Sequence, residues 1–404
     1  MSTLTQQIEE LKTASVEQTQ ATQSLAQEVA SKMSQIDNKV DTSIQQVEQG
    51  YEQKASNLTI IATDGYRKAI EDASGGRNTV VYDAQGNPNI MVVVPRFNYE
   101  DLELPDLNLG SGIPTAFQTN GAPRSEILVA KYLASSATGG CAVVGGVQPR
   151  VSVNYDTAKS LCTAKGNGWH LMSIHEWAAI ALFSLANGTV PRGNTNYGRS
   201  HESKLELARR ADNGIPGDVE GTGRTDTGKG PITWNHDHSE WGISDLVGNV
   251  WEWLDQMLLQ DGRVWTTLDN NPSIVEENWN KHGAYFDAST PTGGVPILSN
   301  TVTNRNGDIG DDANAGNSTS AEWQSITKNG SYTPNELLRR LLIESAVTTG
   351  NATGRLYVRN YGRRFPVRGG SWNIGSLAGL GALNLGNSRS SSFSTFGFRP
   401  ALFL

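Results

Sequence analysis

Cysteine is nearly absent: this 404-residue chain has two, Cys141 and Cys162. Two thiols make neither a disulfide framework nor a four-ligand zinc site. Both stand among apolar and small neighbours, which reads as a pair of buried thiols, with a bridge between them as the alternative. No stretch approaches the roughly 18 apolar residues of a membrane-spanning helix. The opening residues, Met-Ser-Thr-Leu-Thr-Gln-Gln-Ile, lack the basic and apolar regions of a secretion signal, so none is expected. Charge is sparse at 18% of residues, and its balance is −8, against general affinity for nucleic acid or anionic membranes. The most consequential absence is local. From Ser371 through Gly397 there is no Asp, Glu, Lys, His or Cys, and the only charge is Arg389. Such a segment carries no general acid, base or nucleophile of its own; it can form a surface.

What is present is organised in three parts, as the length prior of two to three domains allows. Residues 1–75 contain no proline and are rich in Gln, Glu, Ser, Thr and Ala. Apolar residues recur at Leu25, Val29, Met33, Ile36, Val40, Ile44, Val47, Tyr51, Ala55 and Leu58, in repeating steps of 4, 4 and 3. That is an eleven-residue repeat, which predicts a long helix joining a nearly straight or gently right-handed coiled coil. A narrow seam on an otherwise polar helix predicts self-association, and its Val, Ile, Leu and Met residues leave the strand number open.

Gly75-Gly76 predicts the end of the helix. Residues 76–125 read as a β-rich connector, with strands at 78–82 and 90–94 about the turn cluster Asp83-Ala-Gln-Gly-Asn-Pro88, followed by a long loop. A main domain, residues 126–404, then begins with the strand Ile127-Leu-Val-Ala130. Asn154 opens a short helix. Ser173 and Glu176 make a capping box for a second helix, 174–185, that is apolar almost all round. Thr333-Pro334-Asn-Glu336 predicts a third helix, running to Ala346 with proline at its first position. The polar composition of residues 258–350 reads as an insertion.

Candidate metal ligands are few. His170 and His175 read as hydrogen-bonded core histidines. His236-Asp237-His238, read as a strand, places two imidazoles on one side without a third ligand at a known spacing. Asn304 to Asp312 is rich in oxygen ligands but lacks the order of a calcium-binding loop, and reads as a solvated acidic loop. No metal, cofactor or catalytic residue is assigned.

Four motifs in order, Gly-Trp169-His-Leu-Met-Ser-Ile-His-Glu-Trp177, Asp245-Leu-Val-Gly-Asn-Val-Trp-Glu-Trp253, Arg368-Gly-Gly-Ser-Trp372 and Gly397-Phe-Arg-Pro400, resemble the formylglycine-generating-enzyme branch of the C-type lectin fold. The resemblance covers residues 126–404 and implies an α+β domain with a small antiparallel sheet and two helices. The branch contains sulfatase-activating oxidases with reactive cysteines between the last two motifs. Here both cysteines lie more than 200 residues before Arg368, which leaves such an oxidase without copper ligands or a redox couple.

The C-terminal segment resembles more closely the variable proteins of diversity-generating retroelements, many of them receptor-binding tips of bacteriophage tails. Their frame is kept at Trp372, Asn373, Gly375, Ser376, Ala378, Gly379, Ala382 to Leu385, Asn387, Arg389, Ser390 and Ser392. It departs at Ser371, Ile374, Leu377, Gly386, Ser391, Phe393, Ser394 and Thr395, where the family pattern has asparagine. All eight are residues that adenine changes in an AAC codon produce. The resemblance implies that these eight positions contact a host cell-surface protein or glycan. It also implies a homotrimer on the N-terminal stalk, tail proteins as further partners, and a place on the virion. A formylglycine-generating-type oxidase and a spike with no ligand are the alternatives.

Overall fold

The computed structural model describes residues 2–61, 65–305, 317–345 and 352–403. Contacts divide the chain into two units, residues 1–63 and residues 64–403. The first is a single helix, α1 (Ser2–Ile61). The apolar seam read from the sequence is exposed along it: Leu25, Val29, Met33, Ile36, Val40, Ile44 and Val47 all face solvent in the single chain. The side chains of Tyr51, Ala55 and Leu58 lie outside the described residues.

The second unit opens with α2 (Gly65–Ser74), stopped by Gly75 and Gly76 at positive φ. Strands β1 (Asn78–Tyr82) and β2 (Pro88–Pro95) then form the expected hairpin. Asp83 builds its turn by accepting hydrogen bonds from the amides of Gln85 and Asn87. After three 3-10 turns come the two-residue strands β3 (Gln118–Thr119) and β4 (Ala122–Pro123), then β5 (Glu126–Ala130), β6 (Ser135–Ala137) and β7 (Gly140–Ala142). Helix α3 (Tyr155–Thr163) is capped by Asn154, whose side chain accepts from the Thr157 amide. Strand β8 (Trp169–Leu171) leads into α4 (Ile174–Ala186), which carries the Ser173–Glu176 capping box.

The expected connector is not a separate piece. Its hairpin is the edge of a five-stranded sheet ordered β1-β2-β5-β20-β8, where β20 (Pro400–Leu402) is the chain's last strand. Tyr99, Leu102, Leu107 and Phe117 of the following loop are buried in the same core as α4. Helix α4 is central, as its composition requires: Ile174, Trp177, Ile180 and Leu182 are buried, and the Trp177 indole donates to the Leu380 carbonyl at 3.2 Å.

The polar insertion also proves to be structural. From β9 (Trp251–Trp253) the chain continues through β10 (Met257–Gln260), β11 (Arg263–Thr266), β12 (Asn280–Thr290) and β13 (Gly293–Ser299), an antiparallel meander. With β14 (Ser318–Glu322), β15 (Thr327–Lys328), β16 (Arg355–Arg359), β17 (Arg363–Gly369), β18 (Gly379–Asn387) and β19 (Phe396–Phe398), these strands form an eleven-stranded sheet. Its path runs β14-β16-β18-β17-β10-β11-β12-β13-β15. The meander buries Leu259, Val264, Ala284, Phe286 and Leu298, while alternate positions such as Lys281, Gly283 and Thr290 are exposed. That alternation dilutes the apolar signal of a one-face strand in composition counts. Of the candidate calcium loop, residues 306–312 lie outside the described residues.

The third helix is shorter than expected. Helix α5 (Glu336–Arg340) has Asn335 as its N-cap, so Pro334 precedes the cap instead of opening the helix. Leu342 at φ 52° takes the chain out of helical geometry, although Leu338, Leu341 and Leu342 are buried as expected. Ala346 lies outside the described residues.

One ion pair ties the motifs together. Arg399, on the link between β19 and β20, donates Nε and Nη2 to the two carboxylate oxygens of Glu252 on β9 at 2.8 and 2.9 Å, with both side chains fully buried. Its remaining donors reach the carbonyls of Ala130 and Ser244. Removing one member of a buried pair strands the other charge, at a cost of about 3–5 kcal/mol. Glu252→Gln is therefore expected to lower stability by about that amount, read as a shift in the urea unfolding midpoint. A midpoint equal to wild type would show that the pair contributes nothing.

Candidate binding surface

The C-terminal segment is hung by its two ends from strand β9. β9 pairs antiparallel with β17, which carries Arg368-Gly369, and parallel with β19, which carries Phe396-Gly397-Phe398. At the opening, Gly369 (φ 91°) and Gly370 (φ 98°) allow close approach: a Cβ would stand 2.3 Å from the Leu246 carbonyl oxygen at one and 2.6 Å from the Ala378 Cβ at the other. Arg368 is fully buried and donates to the Leu341 and Leu342 carbonyls, and burial without a carboxylate pulls its guanidinium down to about 9. Trp372 is buried with Leu133 and Val250. Its amide donates to the Asn249 carbonyl, and its own carbonyl accepts from Tyr197.

Between these ends the chain makes a 3-10 turn at Gly375–Leu377, enters the sheet as β18, and leaves it as a loop, residues 388–395. In β18, Ala382, Leu383 and Leu385 are fully buried, in keeping with their place in the retained frame. Arg389 clamps the loop. Its guanidinium binds Asp156 of α3 through Nε and Nη2, reaches Glu276, and lies 5.0 Å over the Phe365 ring. The Arg389 carbonyl accepts from the Tyr155 amide, and the Thr395 carbonyl from the Trp251 amide. Sequence reasoning missed Asp156 and Glu276 because their link to Arg389 spans more than 100 positions.

The eight departures from the asparagine pattern fall into different environments. Ser371 corrects the expectation of a contact residue: it is 1% exposed, and its hydroxyl donates to the Asn373 side-chain oxygen. It offers almost no surface. Ile374 is half-buried and packs against both larger cores. Leu377 and Gly386 are half-buried, and the Gly386 amide donates to Asn384. Ser391, also half-buried, shares its hydroxyl with Ser388. Phe393 is 51% exposed with its ring edge-on to Phe396 at 5.0 Å, Ser394 is exposed, and Thr395 is half-buried. The structure thus brings Ser391, Phe393, Ser394 and Thr395 together on one clamped loop. Ile374 and Leu377 lie on the segment that precedes β18, where the Gly375 amide donates to the Thr195 carbonyl.

The reactive groups elsewhere are engaged structurally. Cys141 and Cys162 are free and buried, and burial pushes both thiols up, Cys162 well above the ordinary range. His170 binds Glu176, and His175 lies between the hydroxyls of Thr115 and Thr267; burial draws the His175 imidazole down to about 3. Residues 236–238 form a turn instead of a strand. His236 accepts from the Ile243 amide, while His238 meets the Val190 carbonyl, so the two imidazoles have separate partners.

The sulfatase-modifying factor enzyme 1-like domain matches residues 134–401, about two thirds of the chain. No curated relative matches. Among solved structures, the chain is similar to the Major Tropism Determinant I1 variant at 15% identity and TM-score 0.29, over 68% of this chain and 50% of that one. It is similar to PvdO from Pseudomonas aeruginosa at 13% identity and TM-score 0.33, over 81% of this chain and 98% of that one. It is similar to Treponema denticola variable protein 1 at 13% identity and TM-score 0.31, over 80% of this chain and 98% of that one. The match spans half the length of the tropism determinant's I1 and P3c variants.

The Arg389 clamp is partly exposed, so its loss has a local signature. Arg389→Gln is expected to speed amide exchange in residues 388–395 by at least about fivefold while costing only about 1 kcal/mol of global stability. Unchanged exchange, measured by hydrogen–deuterium mass spectrometry, would rule the clamp out.

Proposed function

The chain belongs to the sulfatase-modifying factor enzyme 1-like domain family, and from that premise we propose that it is a receptor-binding protein of a phage or prophage tail. The observation that carries this reading is the division within residues 371–395. The apolar frame residues Trp372, Ala382, Leu383 and Leu385 are buried, as is the departure Ser371, whereas the departures Phe393 and Ser394 stand on an exposed loop with the frame residues Ser390 and Ser392. Substitution at exposed positions costs little stability, while substitution in a packed core costs much. A segment built this way tolerates diversification where it meets solvent. Exposed Phe with neighbouring Ser and Thr also suits a recognition surface, an apolar anchor beside adaptable hydrogen-bonding groups.

The segment between Arg368 and Arg399 holds no cysteine, and the only two thiols in the chain are buried, with burial pushing both away from the reactive thiolate. Cysteine-dependent oxidation therefore has no residue to act through at this surface. This supports the reading of a binding role. The contact set proposed here is Ile374, Leu377, Gly386, Ser391, Phe393, Ser394 and Thr395, with Ser371 shaping the surface from behind.

The exposed seam of α1 suits the same role. Burying a Val, Leu or Ile side chain is worth about 1.5–3 kcal/mol, and the eleven-residue repeat from Leu25 to Val47 presents such residues on one stripe. We assign α1 to a parallel homotrimeric stalk that joins the binding domains to other tail proteins and clusters them. Clustering raises avidity by about 10²–10⁴ when sites are engaged together. The proposed location is the virion, with a host cell-surface protein or glycan as partner.

Two measurements check this. Virions carrying Phe393→Asn, Ser394→Asn and Thr395→Asn together are expected to adsorb to their host at least about tenfold more slowly; adsorption at the wild-type rate would favour a spike with no ligand. Analytical ultracentrifugation of the full chain is expected to give a trimer that dissociates when Ile36, Val40 and Ile44 are changed to Asn. A wild-type monomer would remove the stalk from the proposal.

A further inference from the structure

Arg224 stands between the two ends of the diversified segment, on a loop that no motif singled out. Its guanidinium lies 5.7 Å over the Trp372 ring, and Nη1 donates to the Ser394 carbonyl at 3.1 Å. No carboxylate pairs with it among the described residues, Nε is buried without a partner, and Nη2 has none. Asp212, the acidic group that acts on it from nearby, is already committed to Arg210 through two hydrogen bonds and to the amides of Gly214 and Thr222.

This placement is built into the scaffold. Asn249 is fully buried, and its side chain accepts from the Thr225 amide and donates to the Thr225 carbonyl, at 3.1 and 3.2 Å. Its backbone carbonyl accepts from Trp372. One residue of the Asp245–Trp253 motif therefore sets both the backbone beside Arg224 and the ring beneath it. Asn194 holds the Gly223 carbonyl, and a Cβ at Gly223 would stand 2.7 Å from the Trp372 ring. A cation preformed on an aromatic face, partly desolvated and lacking a counter-ion, is arranged to receive an anion, because its ordering has already been met by the fold.

We infer that Arg224 is a fixed subsite for a carboxylate on the receptor, supplied by an acidic protein segment, beside the diversified loop. The surroundings favour polypeptide over acidic sugar. Phe393, 51% exposed, adjoins Ser394, whose carbonyl Arg224 holds, and the chain just before Arg224, residues 199–223, exposes Leu205 (92%), Ile215 (74%), Leu207 and Val219. Aliphatic surface is matched by peptide side chains and left wet by a polyhydroxylated sugar. The biological partner rests on the receptor-binding reading, but the subsite is testable without the host.

The probe is immobilised poly(Glu,Tyr), with poly(Lys,Tyr) and polygalacturonate as comparisons, measured against the purified full chain by biolayer interferometry. The chain's own charge of −8 opposes unspecific attraction to polyanions. Binding to poly(Glu,Tyr) alone is expected, weakening at least tenfold in Arg224→Gln and less in Arg224→Lys, which keeps the charge but loses the planar fork. Arg96→Gln, at an exposed site on the five-stranded sheet's side of the domain, is expected to bind as wild type. Unfolding midpoints identify any variant that is misfolded; should Arg224→Gln be so, the Lys variant decides. Equal binding by wild type and the folded variant would overturn the inference, as would no binding to poly(Glu,Tyr) or tighter binding to polygalacturonate. Failure here leaves adsorption through Phe393 to Thr395 untouched, so the two readings fail separately.

Discussion

The buried pair between Glu252 and Arg399 is the constraint on which the domain is arranged. It joins residues 147 positions apart, in an interior where an unpartnered charge is strongly penalised. Its geometry allows one solution: the two-pronged fork of the guanidinium must meet the carboxylate edge of β9 while its other donors reach Ala130 and Ser244. That places β19 beside β9 and inserts β20 between β5 and β8. The two sheets are thereby held by the same few residues, and the C-terminal segment is fastened at both ends to β9.

Asn249 and Trp251 on or beside β9 hold Trp372 and Thr395 through the backbone, and the bonds they use do not depend on side-chain identity at position 395. Arg389 adds a side-chain clamp to α3 and Glu276. The course of the loop between Arg389 and Thr395 is thus held by groups other than the side chains of Phe393 and Ser394. Ser371 and Ile374 are different. They adjoin buried groups, so replacement there alters packing behind the surface, and large residues at position 371 would meet the cost of overpacking.

Much of this was legible in the chain, and the reasons for the rest are physical. The Asn154 and Ser173–Glu176 caps are local signals, set within one helical turn, and both helices start where those residues say. The β1–β2 hairpin was readable from valine-rich runs about a turn cluster. Residues 258–350 were not, because one-face strands joined by polar turns have the composition of loops until their partners are known. The connector merged with the domain because its hairpin pairs with β5, a contact no local pattern announces. Of the eight positions expected to meet a receptor, seven have some surface and Ser371 almost none, since burial is set by tertiary packing and not by local residue type.

The sequence by itself determined the helix and its eleven-residue seam, the caps, the four motifs, and the absence of reactive groups from the C-terminal segment. These are properties of spacing and residue type, expressed within a few turns of chain. The tertiary structure alone decided that Glu252 pairs with Arg399, that Asp156 holds Arg389, and that Arg224 lies over Trp372 with no carboxylate paired to it among the described residues. Each joins residues more than 100 positions apart, where only the packed fold selects which groups meet.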